Sequence, residues 1–475
     1  MHKINKIFVE TRYIASLLGV TIIYFFSRLQ NLTRIPVFGD EAIYIRWAQI
    51  IKNVETLRFI PVTDGKQPLF MWLIVPFFKI FKDPLFAGRF VSVLAGFGTI
   101  MAIYFIARIL MNKNIALISA IIYVMLPFTF FFDRMALADN LLSMFGAWSL
   151  LLTILIIKYP RFDLTMCLGI ILGLAWLTKS PAIYFIVLSF VSITIAHPKK
   201  VYLPIISIIF AYVIYNILRL GPQFHMIALR NKDYIWTIGD ILKHPLDPLK
   251  PHLSDTITLY SLYIGIPLIL LFFAKFNLLI LAWFILPLIA NCAFAKVFTA
   301  RYILFVLPFF IIILSSSFLK FKKYWYLLFI LFIPNILFIY KLSTKPFDIK
   351  LSSTESGYLR DWTSGWGIKE ASIYLKDRAK VANVIVGAEG HFGTLPDGLQ
   401  IYTDSVKQLT IIPSGIGLTS IPANLMDAYN HGDEVYLLFN KNRINIFSNN
   451  LKIVKEYDKP DNDKLILFKI ENEKK

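Results

Sequence analysis

Cysteine and charge are what this sequence has little of. Two cysteines in 475 residues cannot form a disulfide framework. Cys167 and Cys292 both fall inside apolar runs, where a small core residue is the expected role. Only 17% of the residues are charged, against about a quarter in a soluble domain, and acidic residues are the scarcer sign, 30 against 49 basic. What is abundant is apolar: 57% hydrophobic and 16% aromatic, with a mean hydropathy of +0.63. That surplus needs a bilayer as solvent and rejects a division into about three soluble domains. Collagen-like, disordered and disulfide-scaffold classes are excluded as well. The net charge of +19 would suggest nucleic acid in a soluble chain. Here the cations gather in short loops between apolar runs, the positive-inside pattern, and no nucleic-acid partner is needed.

The first apolar run, 13–29, follows Lys3, Lys6 and Arg12 and has no small-residue cleavage site before Gln30 and Asn31. It reads as a retained span with a cytoplasmic N-terminus. Further runs cover 85–110, 115–132, 140–157, 164–177, 181–196, 201–218, 259–274, 278–294, 302–318 and 324–340, about eleven spans in all. The short pair around Lys179 could also form a re-entrant hairpin. The run 68–81 contains Pro76 and Lys79, and parity decides its fate. If it lies along the outer face, the loops holding Lys113, Lys158 with Arg161, Lys199 with Lys200, Lys275, and Lys320 with Lys322 and Lys323 all fall on the N-terminal side. The expected protein is therefore mainly α, a polytopic plasma-membrane protein. Segments 30–84, 220–260 and 341–475 are then extracytoplasmic. The tail has β-type runs at 381–388, 434–440, 451–457 and 464–470 and a helical pattern over 368–380. The expected division is a transmembrane catalytic domain, 1–340, and a small soluble α/β domain, 341–475. No internal repeat is visible, which disfavours an inverted-repeat transporter.

Several ionisable residues are placed where chemistry could occur. From Asp40 onward, Ile43, Trp47, Ile50, Ile51 and Val54 share one helical face, with Arg46, Gln49 and Lys52 on another. This predicts an amphipathic interfacial helix that opens with the paired carboxylates Asp40 and Glu41. Asp40 as a helix N-cap, stabilising by about 1 kcal/mol, is the bland alternative. Lys66 in Asp64-Gly65-Lys66-Gln67-Pro68 could snorkel or bind a phosphate head group. Asp133 and Arg134 could be a simple charge pair, and Asp139 another N-cap, but ionisable residues this near hydrocarbon raise a site hypothesis. Lys179 and Arg301 are cations at outer span ends that could anchor or bind phosphate. The turn 387–393 is glycine-rich without dinucleotide-fingerprint spacing and reads as structural. Tyr358, Trp362 and Trp366 read as interfacial anchors, with sugar stacking as the second role.

In order, DEAIYIRWA, GKQPLFMWL, AGRFVSVLAG, FFDRMALADNLL, GLAWLTKSP and TARYILFVLP resemble the GT-C glycosyltransferases, nearest the protein O-mannosyltransferases and the bacterial lipid A aminoarabinose transferases. The likeness covers roughly the first 340 residues. It implies a GT-C fold and an inverting transferase that takes a sugar from a polyprenyl-phosphate donor. It further implies Asp40 as the catalytic carboxylate with Glu41 in support, Lys66 and Arg301 on the donor phosphate, and Asp139 near sugar or acceptor. Lys179 joins the phosphate group, and Asp133 with Arg134 the sugar or acceptor group. The aminoarabinose transferases carry a zinc-holding glutamate before the matching lysine. Gly65 stands there instead, which puts that metal in doubt. His225, His244 and His252 match no zinc spacing.

The chemistry needs a carboxylate to take the acceptor proton and cations for the departing phosphate. Neither a nucleotide nor a redox cofactor is needed, and a divalent metal stays open. The expected partners are a polyprenyl-phosphate sugar, membrane lipids and a hydroxyl acceptor on protein, lipid or polysaccharide. Two other readings compete. A transporter or flippase would place charges in mid-span, whereas these lie at span ends. An oligosaccharyltransferase would need a divalent cation on carboxylates such as Asp40, Asp133 and Asp139.

Overall fold

The computed structural model describes residues 2–271, 277–318, 325–446 and 450–471, the side chains of 2–12, 325 and 327 apart. The basic positions Lys275, Lys320, Lys322 and Lys323, and the side chains of Lys3, Lys6 and Arg12, lie outside that description. In chain order the helices are α1 (His2–Leu29), α2 (Gly39–Asn53), α3 (Leu69–Ile74), α4 (Pro84–Leu110), α5 (Lys113–Met125), α6 (Pro127–Phe132) and α7 (Ala138–Lys158). Next come α8 (Phe162–Thr178), α9 (Ile183–Ala196), α10 (Tyr202–Tyr215), α11 (His225–Tyr234), α12 (Ile238–Lys243), α13 (Leu249–Tyr263) and α14 (Ile266–Leu271). The last are α15 (Leu278–Phe294), α16 (Leu307–Ser317), α17 (Ile333–Thr344), α18 (Ile368–Arg378), α19 (Asp397–Thr403) and α20 (Ala423–Asn430). The described residues also form five strands, β1 (Val384–Ala388), β2 (Leu409–Pro413), β3 (Glu434–Asn440), β4 (Leu451–Asp458) and β5 (Lys464–Ile470). It is a mainly helical protein with a small C-terminal sheet.

Two compact units divide these elements: 1–32 with 56–73 and 89–341, and 33–55 with 74–88 and 342–475. In the first unit α8 packs along α7 and α10, α7 along α9, and α16 against α5 and α15. Trp283, fully buried, stacks near Phe185 and meets Phe309 edge-on at 5.6 Å. Among the described residues, Pro84–Leu110, Ala138–Lys158, Tyr202–Leu220 and Ala300–Ser317 are long and apolar enough to cross a bilayer. Shorter apolar helices account for the other expected spans except 259–274. There the chain breaks after Tyr263 at Gly265, whose φ is +97°. The run 115–132 is also two helices. Leu126 is extended, as the residue before a proline prefers, and Pro127 starts α6. The 68–81 run is a short α3 followed by a 3-10 turn, Val75–Lys79, with Pro76 at its start.

In the second unit the sheet order is β2-β1-β3-β5-β4. β1 pairs in parallel with β2 and β3, while β5 pairs antiparallel with β3 and β4. Leu425, Val435, Leu437, Phe439 and Ile470 form its core. α2 belongs to this unit and packs on α19. The face expected to be solvated is therefore occupied: Gln49 Nε2 donates to Ile401 O at 2.8 Å, and Arg46 Nη1 meets Asp404 Oδ1 at 2.5 Å. Trp47, on the other face, lies 5.6 Å from the Phe392 ring. Lys369 Nζ pairs with Asp83 Oδ2 at 2.6 Å. A cut at 340/341 thus misses two N-terminal segments, because helix-to-tail contacts bind 33–55 and 74–88 to the C-terminal unit.

Candidate active site

The sequence-selected residues separate into three environments. The first is the start of α2. Its N-cap is Phe38, and Glu41, buried, accepts the Phe38 backbone N–H at 3.0 Å. Capping therefore falls to Glu41 rather than to Asp40, which is half-buried in the first turn. The Gly39 N–H donates to Thr363 O, and the Phe38 ring lies 4.5 Å from Tyr358. Tyr358 is buried, so it serves packing here and not anchoring.

The second environment gathers the cations of the first unit. Lys179, extended at the end of α8, reaches Asp139 Oδ1 with its Nζ at 2.5 Å. Asp139 lies in the first turn of α7, whose N-cap is Leu137, so its carboxylate serves Lys179 and not the helix end. The same Nζ stands 4.4 Å from the centre of the Tyr302 ring. Arg301 Cζ lies 5.0 Å from that ring, and its Nη2 donates to Tyr302 Oη at 3.3 Å. Both cations thus lie over the Tyr302 ring, within cation–π range. Ser180, next to Lys179, receives Gln67 Nε2 at 2.8 Å and donates to Asn231 Oδ1 at 3.3 Å. Beside Gln67, Lys66 Nζ meets Asp64 Oδ2 at 3.3 Å, and Arg230 Nη2 meets Asp64 Oδ1 at 2.6 Å. The segments 64–67, 139, 179–180, 230–231 and 301–302 are thereby tied together. Their cations Lys66, Lys179, Arg230 and Arg301 outnumber Asp64 and Asp139, with Asp233 paired to Arg230 at the exposed rim.

Gly65 explains its own presence. Its φ is +71°, and an added Cβ would stand 2.5 Å from Arg230 Cβ. A glutamate there would clash and be strained. Among the described residues no three His, Cys, Asp or Glu side chains converge as a metal group. His252 Nδ1 bonds to Cys292 O at 2.8 Å, and His244 pairs with Asp247. Cys292 is buried as expected, but Cys167 is exposed.

The third environment removes Asp133 and Arg134 from the surface. Both are fully buried, and they do not pair with each other. Asp133 takes Arg28 Nε at 3.4 Å, Tyr24 Oη at 3.2 Å and Tyr123 Oη at 3.0 Å. Arg134 donates to the Ser27 and Asn31 carbonyls at the end of α1. Gly96 lets α4 approach, since a Cβ there would stand 2.5 Å from Asp133 Oδ1. These contacts are interhelical ties, a structural role in place of the sugar or acceptor contact expected from sequence.

Sequence reasoning missed Asp64, Gln67, Arg230, Asn231 and Tyr302. The first two lie inside a motif singled out for Lys66, and Tyr302 follows Arg301. Arg230 and Asn231 carried no local signal.

Compared with known structures, the chain aligns over 97% of its length with 98% of ArnT from Cupriavidus metallidurans in the apo state, at 13% identity and TM-score 0.60. The chain has the GT-C fold. The same enzyme bound to undecaprenyl phosphate aligns over 96% of this chain and 97% of that one, at 12% identity and TM-score 0.57. An Archaeoglobus fulgidus oligosaccharyltransferase, in complex with Zn and sulfate, reaches TM-score 0.49 at 12% identity, over 89% of this chain and 67% of its own. Residues 65–218 match the sequence family described as dolichyl-phosphate-mannose-protein mannosyltransferase. A sequence search of curated proteins found no match. Both the fold and the family match agree with the resemblance carried by the sequence motifs. The matched segment runs from Gly65 through Asp139 and Lys179 to Leu218, so it includes Lys66 and Lys179 of the cation cluster and stops short of Arg230 and Arg301.

Proposed function

We propose that the protein is an inverting glycosyltransferase that moves a sugar from a polyprenyl-phosphate donor to an acceptor hydroxyl at the outer face of the membrane. The observation that carries this reading is the meeting of Lys179 and Arg301 at the Tyr302 ring, with Ser180, next to Lys179, bonded to Gln67, the neighbour of Lys66. A departing phosphate monoester is a dianion. Two unit charges about 4 Å apart interact by roughly 4 kcal/mol at an effective dielectric of about 20, so paired cations are the groups such a leaving group requires. In the reaction the acceptor oxygen attacks the anomeric carbon from the face opposite the phosphate, and the C–O bond to phosphate breaks. The acceptor proton passes to Asp40, and polyprenyl phosphate departs onto the cations. Asp40 is assigned this role by the resemblance. The complex of ArnT with undecaprenyl phosphate and the family match support a polyprenyl-phosphate donor.

Of the carboxylates that an oligosaccharyltransferase would use for a divalent cation, Asp40, Asp133 and Asp139, two are committed elsewhere, Asp133 to Arg28 and two tyrosines and Asp139 to Lys179. The residues do not fit that metal, and no step is routed through it. The test is donor turnover in vesicles. Purified protein is given labelled polyprenyl-phosphate hexoses or pentoses, with and without chelator, and free polyprenyl phosphate is scored. Chelator-resistant release from a monosaccharide donor supports the reading. Release only from a pyrophosphate-linked oligosaccharide, and only with metal, would replace it by the oligosaccharyltransferase.

A further inference from the structure

Far from the cation cluster, the first unit contains a cavity of ≈ 420 Å³ lined by Phe105, Arg108, Ile109, Leu155, Lys158 and Tyr159. These residues form the last turns of α4 and α7. The two helices run side by side in the same direction, since Trp148 Nε1 donates to Gly98 O at 3.0 Å and Lys158 Nζ to Ile109 O at 3.3 Å. α7 carries Asp139 in its first turn and Lys158 in its last. Its 21 residues span about 30 Å at 1.5 Å per residue, so the cavity is a separate place.

The same end of the unit carries further cations. Lys113 starts α5, Arg161 precedes α8, and Lys199 and Lys200 follow α9. His197 contacts Ile157 O at 2.9 Å, which brings the 197–200 turn to the end of α7. Among the described residues, the carboxylate of Asp163 at this rim is paired with Arg161 at 2.7 Å. At the cavity two cations, Arg108 and Lys158, border an apolar and aromatic hollow. Such a hollow between spanning helices accepts an ester-linked head group, with the phosphate on the cations and the acyl stems along Phe105, Ile109 and Leu155.

We propose that this cavity binds the head group of an anionic phospholipid, with Arg108 and Lys158 holding the phosphodiester and Tyr159 at the mouth. A basic rim that only sets orientation needs no cavity and has no preferred pair of cations. The lipid site depends on both.

The test is native mass spectrometry of the full chain released from phosphatidylglycerol or phosphatidylcholine nanodiscs. Wild type retains phosphatidylglycerol over phosphatidylcholine. In R108Q/K158Q that preference falls about 30-fold, as expected for two cations at roughly 1 kcal/mol each. Leu155→Trp fills the hollow, keeps both cations and gives a comparable loss, so it decides the matter if the double variant does not fold. R161Q/K199Q, on the rim but off the cavity, stays within about threefold of wild type. Equal retention of the two lipids by wild type would overturn the proposal, as would an equal loss in R161Q/K199Q. Displacement of the lipid by inorganic phosphate would overturn it too, in favour of a free-anion site.

Discussion

Replacing Lys179 with methionine tests what the Lys179–Asp139 pair is for. Asp139 is 3% exposed, and its carboxylate has Lys179 Nζ at 2.5 Å. Removing the ammonium leaves a buried anion without its cation, which costs about 3–5 kcal/mol. Asp139→Asn is milder, because Lys179 is 24% exposed and can turn to solvent and the Tyr302 face. The double variant K179M/D139N removes both charges, and stability returns to within about 1 kcal/mol of wild type. Turnover separates the roles. If Lys179 stabilises the departing phosphate, its loss lowers donor release by about 10²–10³ in the single and double variants alike, while Asp139→Asn keeps the cation. The assays are the thermal midpoint in detergent and release of labelled polyprenyl phosphate at saturating donor. Wild-type release by the folded double variant would refute the reasoning, because Lys179 would then serve only to neutralise Asp139.

Three further outcomes follow from the geometry. Gly65→Glu lowers the thermal midpoint and creates no zinc-dependent activity, because the side chain meets Arg230 at a positive φ; zinc-stimulated turnover by a folded variant would contradict this. Asp133→Asn destabilises by about 3–5 kcal/mol, since Arg28 loses its buried anion, but leaves donor KM unchanged in the folded fraction; a raised KM would restore Asp133 to the binding site. Burial pushes the Asp397 carboxyl up to about 6, against the pull of the Gly393 N–H and Arg46. The folded state therefore holds this proton more tightly than the unfolded one. That contributes up to about 3 kcal/mol, fully present below pH about 4 and lost as pH rises to about 6. Asp397→Asn should remove this slope from a pH series of unfolding midpoints, and an unchanged slope would place it on another group.

How far the sequence could be read depended on the range of each interaction. The apolar runs were legible because a spanning helix is a local composition. Breaks within them at Pro127 and Gly265 were visible residues whose effect the run length masked. Asp40 reads as the cap from sequence, but one residue of helix phase decides which carboxylate meets the Phe38 N–H, and it is Glu41. Asp133 looked like a surface charge because its partner, Arg28, is 105 residues away. The polar face of α2 looked solvated because Ile401 and Asp404, which cover it, belong to the tail. β2 was missed as a five-residue stretch ending in proline, where the alternation signal is shortest. Lys66, Lys179, Asp139 and Arg301 were chosen as cations and carboxylates near span ends. Tyr302, Gln67 and Ser180, which connect them, are ordinary polar residues with no such mark.

The central claim is that a carboxylate at the start of α2 drives sugar transfer from a lipid phosphate. The direct measurement compares wild type with Asp40→Asn in vesicles containing labelled polyprenyl-phosphate sugars, after equal thermal midpoints show both are folded. The account predicts release of polyprenyl phosphate by wild type and a fall of at least about 10² in the variant. Equal release by the two proteins would contradict it and remove Asp40 from the mechanism.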